Sequence, residues 1–316
     1  MKRIVFAAAL ILAAFPALAQ TAEPALIVHS DEIQKLIATA KAMPAQPVVR
    51  LPIMKLAPYI ANLEYRAGTG PALVHPAEAE LMFVIDGSGT LTTGGALVTA
   101  AAPAGAAAPS DPNNIAGTDI TGGTAVHLAK GDVTIVPEGT PHLVVPDAAA
   151  PLVLMTLHVR RSGATAPVAG RGPVTPRLFT SAAEIDAMIA RAKANLPAAL
   201  AAGRLFSGEA ILELPPYRVG LEYRSSKGTP SVHKTDAEIM WVLEGSGTMN
   251  TDGALVNPHD TNPANTEGDA VGNPRVNHLS KGDFVFIPQN GPHQSFTDGV
   301  FVLATLHVPR PVPAAK

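Results

Sequence analysis

His75-Pro-Ala-Glu-Ala-Glu80, followed after six residues by Gly87, is written twice in this chain. It returns as His233-Lys-Thr-Asp-Ala-Glu238, again six residues before Gly245. A second block follows each copy in the same order. Gly131, five residues, then Pro137-Glu-Gly139-Thr-Pro-His142 returns as Gly282, five residues, then Pro288-Gln-Asn290-Gly-Pro-His293. Imidazole and carboxylate recurring at fixed spacing is the donor chemistry of a divalent-metal site without sulfur.

The duplication extends outward from these blocks. Leu56–Arg66 matches Leu214–Arg224, His127–Asp132 matches His278–Asp283, and Thr156-Leu-His158 matches Thr305-Leu-His307. Each copy opens on a helix. Ser30-Asp-Glu precedes Ile33, Leu36 and Ile37, and the capping box Ser181–Glu184 precedes Ile185, Met188 and Ile189. Short apolar or alternating runs follow, bounded by Gly, Pro and Asn. Leu81–Ile85, Val133–Val136, Leu152–Val159, Ile239–Leu243, Phe284–Ile287 and Phe301–Val308 predict strands. Thr99–Gly123 and Asn257–Pro274 show no usable period and are expected to be long loops over a pocket mouth.

Composition agrees with a turn-rich β protein. The 316 residues include 27 Gly and 30 Pro, with 47% hydrophobic and only 4% aromatic residues, so aliphatic side chains must fill the core. A net charge of −3 gives no support to a nucleic-acid or membrane-surface partner. Zero Cys removes disulfides, thiolate zinc sites and Cys nucleophiles together. Met1-Lys-Arg3, the apolar run Ile4–Phe15 and Ala17-Leu-Ala19 have the form of a secretory signal peptide, so export to a periplasm is expected. The expected divisions are 1–19 signal, 25–165 first domain, 166–176 linker and 177–312 second domain.

The paired blocks resemble the two signature motifs of the cupin superfamily, and two ordered pairs make the chain similar to a bicupin. The resemblance covers nearly the whole chain after the leader. It implies an all-β fold of two tandem jelly-roll (double-stranded β-helix) barrels, each with a short N-terminal helix. It implies metal ligands His75, Glu80 and His142 in one barrel and His233, Glu238 and His293 in the other. The sequence departs from the pattern at two points, one being Asn290 in place of the motif glycine in the second copy. The other is the first motif histidine, replaced by Leu73 and Ser231. What remains, two His and a carboxylate, suits Fe, Mn or Zn.

Other readings stand beside this one. The trio is a hydrogen-bonded polar remnant without metal, or Glu80 and Glu238 act as general bases beside His. His158 and His307 are read as buried structural histidines, with replacement of the missing ligand as the alternative. His127 and His278 are expected outside the barrel, and His29 and His259 at the surface. Arg66 and Arg224 share a strand face with Glu64 and Glu222. They either clamp a substrate carboxylate near the metal or tie the barrel wall, while Tyr65 and Tyr223 face the other way. Lys130 and Lys281 are expected in solvent.

Two functions follow. One is a metalloenzyme acting on a small polar organic molecule by oxygenation, decarboxylation or isomerisation, with Glu80, Glu238, Arg66 and Arg224 as its catalytic candidates. The other is a bicupin that binds a metal or small ligand without turnover. Homo-oligomerisation is left open.

Overall fold

The computed structural model describes residues 23–98, 114–161 and 174–310. The signal-peptide stretch and residues 166–173 of the expected linker lie outside them.

The first half is two antiparallel sheets face to face. One runs in the order Phe179–Thr180, Val133–Val136, Glu78–Asp86, Leu152–Arg160, Tyr59–Arg66, Val48–Leu56. The other runs Thr124–Ala129, Ser88–Thr93, His142–Pro146, Ala72–Val74, Ile115–Gly117. The second half repeats the plan as one continuous 11-stranded sheet, because Asp236–Thr251 and His293–Pro309 are long enough to serve both layers. This is the expected pair of jelly rolls.

Strand alternation decides what faces inward. Met82, Val84, Leu152 and Leu154 fill the first barrel with Leu91, Leu128 and Val144. Met240, Val242, Leu303 and Phe301 fill the second with Met249 and Leu279. Their strand neighbours face the other way. Leu81, Phe83, Leu157, Ile239, Phe284 and Leu306 join the helices in one core between the barrels. Trp241 sits against Phe83 and stacks on Phe284 with ring centroids 5.2 Å apart. Tyr65 and Tyr223 belong to this core, on the face opposite Arg66 and Arg224, as alternation requires.

The two halves exchange their first elements. The strand Leu26–Val28 pairs with Phe284–Ile287 of the second barrel, and Phe179–Thr180 pairs with Val133–Val136 of the first. Helices α1 (Ser30–Ala42) and α2 (Ala182–Ala201) therefore begin on the opposite barrel. Asp283 accepts from the backbone N–H of Ser30 at 2.8 Å, and Asp132 accepts from that of Ala182 at 2.7 Å. Each aspartate thus satisfies a free donor at the start of a helix. The far ends are tied reciprocally too. The Tyr59 hydroxyl donates to the Pro309 carbonyl, and the Tyr217 hydroxyl donates to the Arg160 carbonyl. The exchanged strands cross between the two copies of the repeat.

One expectation is corrected. Asn257–Pro274 is not a plain loop. It holds the short strands His259–Asn262, Asn265–Glu267 and Ala270–Gly272, and in the first half Ile115–Gly117 and Asp119–Thr121 take the same place. Strands of three or four residues are too short to show a period. His29 is exposed, as expected, and has a structural contact as well. It precedes α1, its Nδ1 lies 3.0 Å from Asp283, and its backbone N–H donates to Glu32. The remaining motif departure is accommodated, since Asn290 adopts φ 64° where its counterpart Gly139 adopts φ 69°.

Candidate metal centres

Glu80 points into the first barrel from the same face as Met82 and Val84. His75 follows the strand Ala72–Val74, and His142 opens the strand that pairs with it. Glu80 Oε2 lies 3.3 Å from His75 Nε2 and 3.0 Å from His142 Nε2. His158 completes the group. It is the register partner of Glu80 on the neighbouring strand, with Nε2 at 3.7 Å from Oε1. The second barrel repeats this arrangement. Glu238 Oε2 lies 3.4 Å from His233 and 3.2 Å from His293, and Oε1 lies 3.7 Å from His307, its register partner.

Each half therefore assembles three histidines and a glutamate. The fourth group comes from the last strand, not from the motif position that carries Leu73 or Ser231. In the first barrel Leu73 is the ladder partner of His142. In the second, the Ser231 hydroxyl lies 3.3 Å from His293 Nε2. Reading His158 and His307 as buried is corrected, since their side chains are 29% and 45% exposed. They stand beside the glutamates because they sit one strand over from them.

The residues fit a metal. Donor atoms bound to one ion at about 2.0–2.2 Å lie roughly 3 Å apart, close to the spacing seen here. Three of the six imidazoles have Nδ1 engaged elsewhere, which turns Nε2 toward the glutamate. His142 Nδ1 lies 3.1 Å from the Thr140 carbonyl, and His293 Nδ1 lies 3.1 Å from that of Gly291. His233 Nδ1 lies 2.6 Å from Asn265 Oδ1. Neither ring nitrogen of buried His75 has a hydrogen-bond partner among the described residues, and its Nε2 faces Glu80.

Charge is arranged to match. Burial opposes ionisation of Glu80, but His142 and His75 beside it and the field of His158 hold its carboxyl well below the usual range. Glu238 is held down in the same way by His307, His233 and His293 against its burial. His233 is lowered by burial but raised more by Glu238 and Asn265, to about 9. A metal entering here displaces a proton from a site already carrying a fixed negative charge.

The other candidates separate cleanly. Arg66 donates to Glu64 at 2.5 Å and Arg224 to Glu222 at 2.6 Å, on the inward faces of their barrels. In the second barrel Glu222 and Arg224 line the same cavity, of about 560 Å³, as His233, Glu238, His293 and His307. Thr261, Asn262 and Asn265 also line it, so the segment expected over a pocket mouth is there. His127 lies outside, 3.0 Å from Asp147, and His278 faces Thr248. Lys130 is in solvent beside Asp86.

The fold has solved counterparts. Salicylate 1,2-dioxygenase from Pseudaminobacter salicylatoxidans superposes with a TM-score of 0.59 at 12% identity, over 96% of this chain and 88% of that one. The chain has a two-barrel cupin fold. A structure of the same enzyme described as adducts with gentisate gives a TM-score of 0.60 at 11% identity, over 92% of this chain and 83% of that one. No family model and no curated protein matches the sequence. At these identities the likeness establishes the arrangement of strands, and the site must be argued from its own residues.

Proposed function

We propose that this bicupin is an exported metalloenzyme with a three-histidine, one-glutamate centre in each barrel, loaded with Fe, Mn or Zn. Its substrate is a small polar organic molecule. The observation that carries the reading is the joining of Glu238 and its three histidines to a cavity that also holds Arg224. A bound ion would polarise a substrate oxygen or activate dioxygen there. The chain's own residues do the rest. Nε2 donors are fixed by Asn265 and backbone carbonyls, Glu238 supplies the compensating charge, and Arg224 offers a guanidinium to a substrate carboxylate. In this reading Glu80 and Glu238 act first as ligands. The same fold in a dioxygenase solved with gentisate supports oxygenation over decarboxylation or isomerisation as the first class to test.

Loading purified protein with Fe(II), Mn(II) or Zn(II) and measuring metal content is the direct test, with one ion per barrel expected. Oxygen uptake against a panel of small carboxylic acids then separates an enzyme from a bicupin that only binds. Binding below one ion per chain would sink the proposal.

A further inference from the structure

The two barrels differ along the wall that carries the repeated Glu–Arg pair. In the first, Arg50 stands opposite Glu64 in the ladder and bonds its carboxylate together with Arg66. Glu64 and Arg66 are only 1% and 5% exposed. In the second, Gly208 falls between the paired residues Ser207 and Ala210, along the stretch facing Glu222. It carries no side chain there, and an added Cβ would lie 1.8 Å from the Leu221 carbonyl oxygen. Glu222 is left with Arg224, whose Nε and Nη2 it engages. Nη1 of Arg224 is uncommitted among the described residues, and its guanidinium lies 4.8 Å from the Phe206 ring.

The cavity of about 560 Å³ opens along this Gly208 wall and reaches Glu238, inside the size range of small-molecule sites. Arg204, without an ion pair among the described residues, stands at its edge. The histidines of the two centres differ accordingly. The His307 side chain is 45% exposed against 29% for His158, and His233 is 20% exposed against 5% for His75.

We propose a division of labour between the barrels, one that rests on the metal-centre reading above. The second barrel admits the ligand, a small organic anion with an apolar body. Its anionic group meets Arg204 and Arg224, and its body lies against Phe206, Met240 and Leu303. The first barrel, braced by Arg50, holds its metal as a buried structural centre.

The test uses full-length protein loaded with Co(II) and 4-fluorobenzoate as probe. Paramagnetic broadening of the 19F line reports approach of the probe to cobalt. Broadening is expected in the wild type and after His75→Ala/His142→Ala. It is expected to vanish after His233→Ala/His293→Ala while the first barrel keeps its cobalt, which also shows that the variant is folded. Arg204→Glu, at the exposed edge, should weaken probe binding about tenfold, the equivalent of one charge-assisted hydrogen bond. Cobalt content on the same samples separates the two levels of argument. Wild type that takes up no cobalt overturns the metal centres themselves. Full cobalt with no broadening, or with broadening that survives His233→Ala/His293→Ala, overturns the division of labour alone.

Discussion

His158 stands directly opposite Glu80 in the ladder between Leu152–Arg160 and Glu78–Asp86, and the same relation joins His307 to Glu238. In the first barrel Glu80 and His158 belong to one sheet and His142 to the facing one, whereas in the second His293 and His307 lie at opposite ends of the one strand His293–Pro309. In the first barrel the donor set thus bridges both layers. His158→Ala and His307→Ala should each weaken metal binding by more than the roughly 10–100-fold that loss of an outer partner costs. His127→Ala, in solvent on the other face, should leave affinity unchanged. Competition titration with a chromophoric chelator reads both.

Asn265 fixes the His233 ring through Nδ1 at 2.6 Å. Asn265→Leu should leave the fold intact and lower metal affinity in the second barrel by about 10–100-fold. Metal content of this variant, with the first barrel as internal reference, checks the prediction. Equal occupancy of both barrels at limiting metal would contradict it.

Asp283 is 1% exposed and accepts from the backbone N–H groups of Ser30 and Ser280. Asp283→Ala should leave those donors unpaired and cost about 1–3 kcal/mol. Asp132→Ala, its counterpart on α2, should cost a similar amount. Urea midpoints at fixed m-value measure both. A loss confined to one of them would mean that only one exchanged helix is held this way.

Tyr59 and Tyr217 have hydroxyls beside one another at the junction of the halves, and both are pushed above the usual phenol range by burial. Their folded values lie above the unfolded value of about 10. Their contribution to stability is therefore complete below pH ~10 and is lost as pH rises through the folded values. Stability should fall steeply in that alkaline window. Tyr217→Phe should cost about 0.5–1.5 kcal/mol near neutral pH, and the alkaline slope should flatten. Urea unfolding as a function of pH tests both parts.

The motif blocks made the barrels and six of the eight centre residues legible, because strand alternation and fixed spacing are local properties. His158 was not legible, because its strand is apolar on both faces and alternation there says nothing about function. The usable signal was register. A histidine repeated in both copies, on a strand placed next to the glutamate strand, must stand beside that glutamate. The exchange of Leu26–Val28 and Phe179–Thr180 was hidden for another reason. Strands of two or three residues carry no period, and their partners lie far away in sequence. Arg66 and Arg224 matched each other in sequence, yet their surroundings diverged through Arg50 and Gly208, residues with no motif of their own.

The crossed first strands have a consequence for how this molecule came to be a single chain. A lone copy of the repeat would lack the strand that finishes its sheet and would offer its own strand and helix to another copy. That is the geometry of a swapped pair, whose assembly depends on concentration. Joining two copies end to end makes the partner permanently present at an effective concentration set by the connecting segment. Dilution would then have nothing to dissociate. With the pair locked together, the copies are free to differ, as the walls that carry Arg50 and Gly208 do.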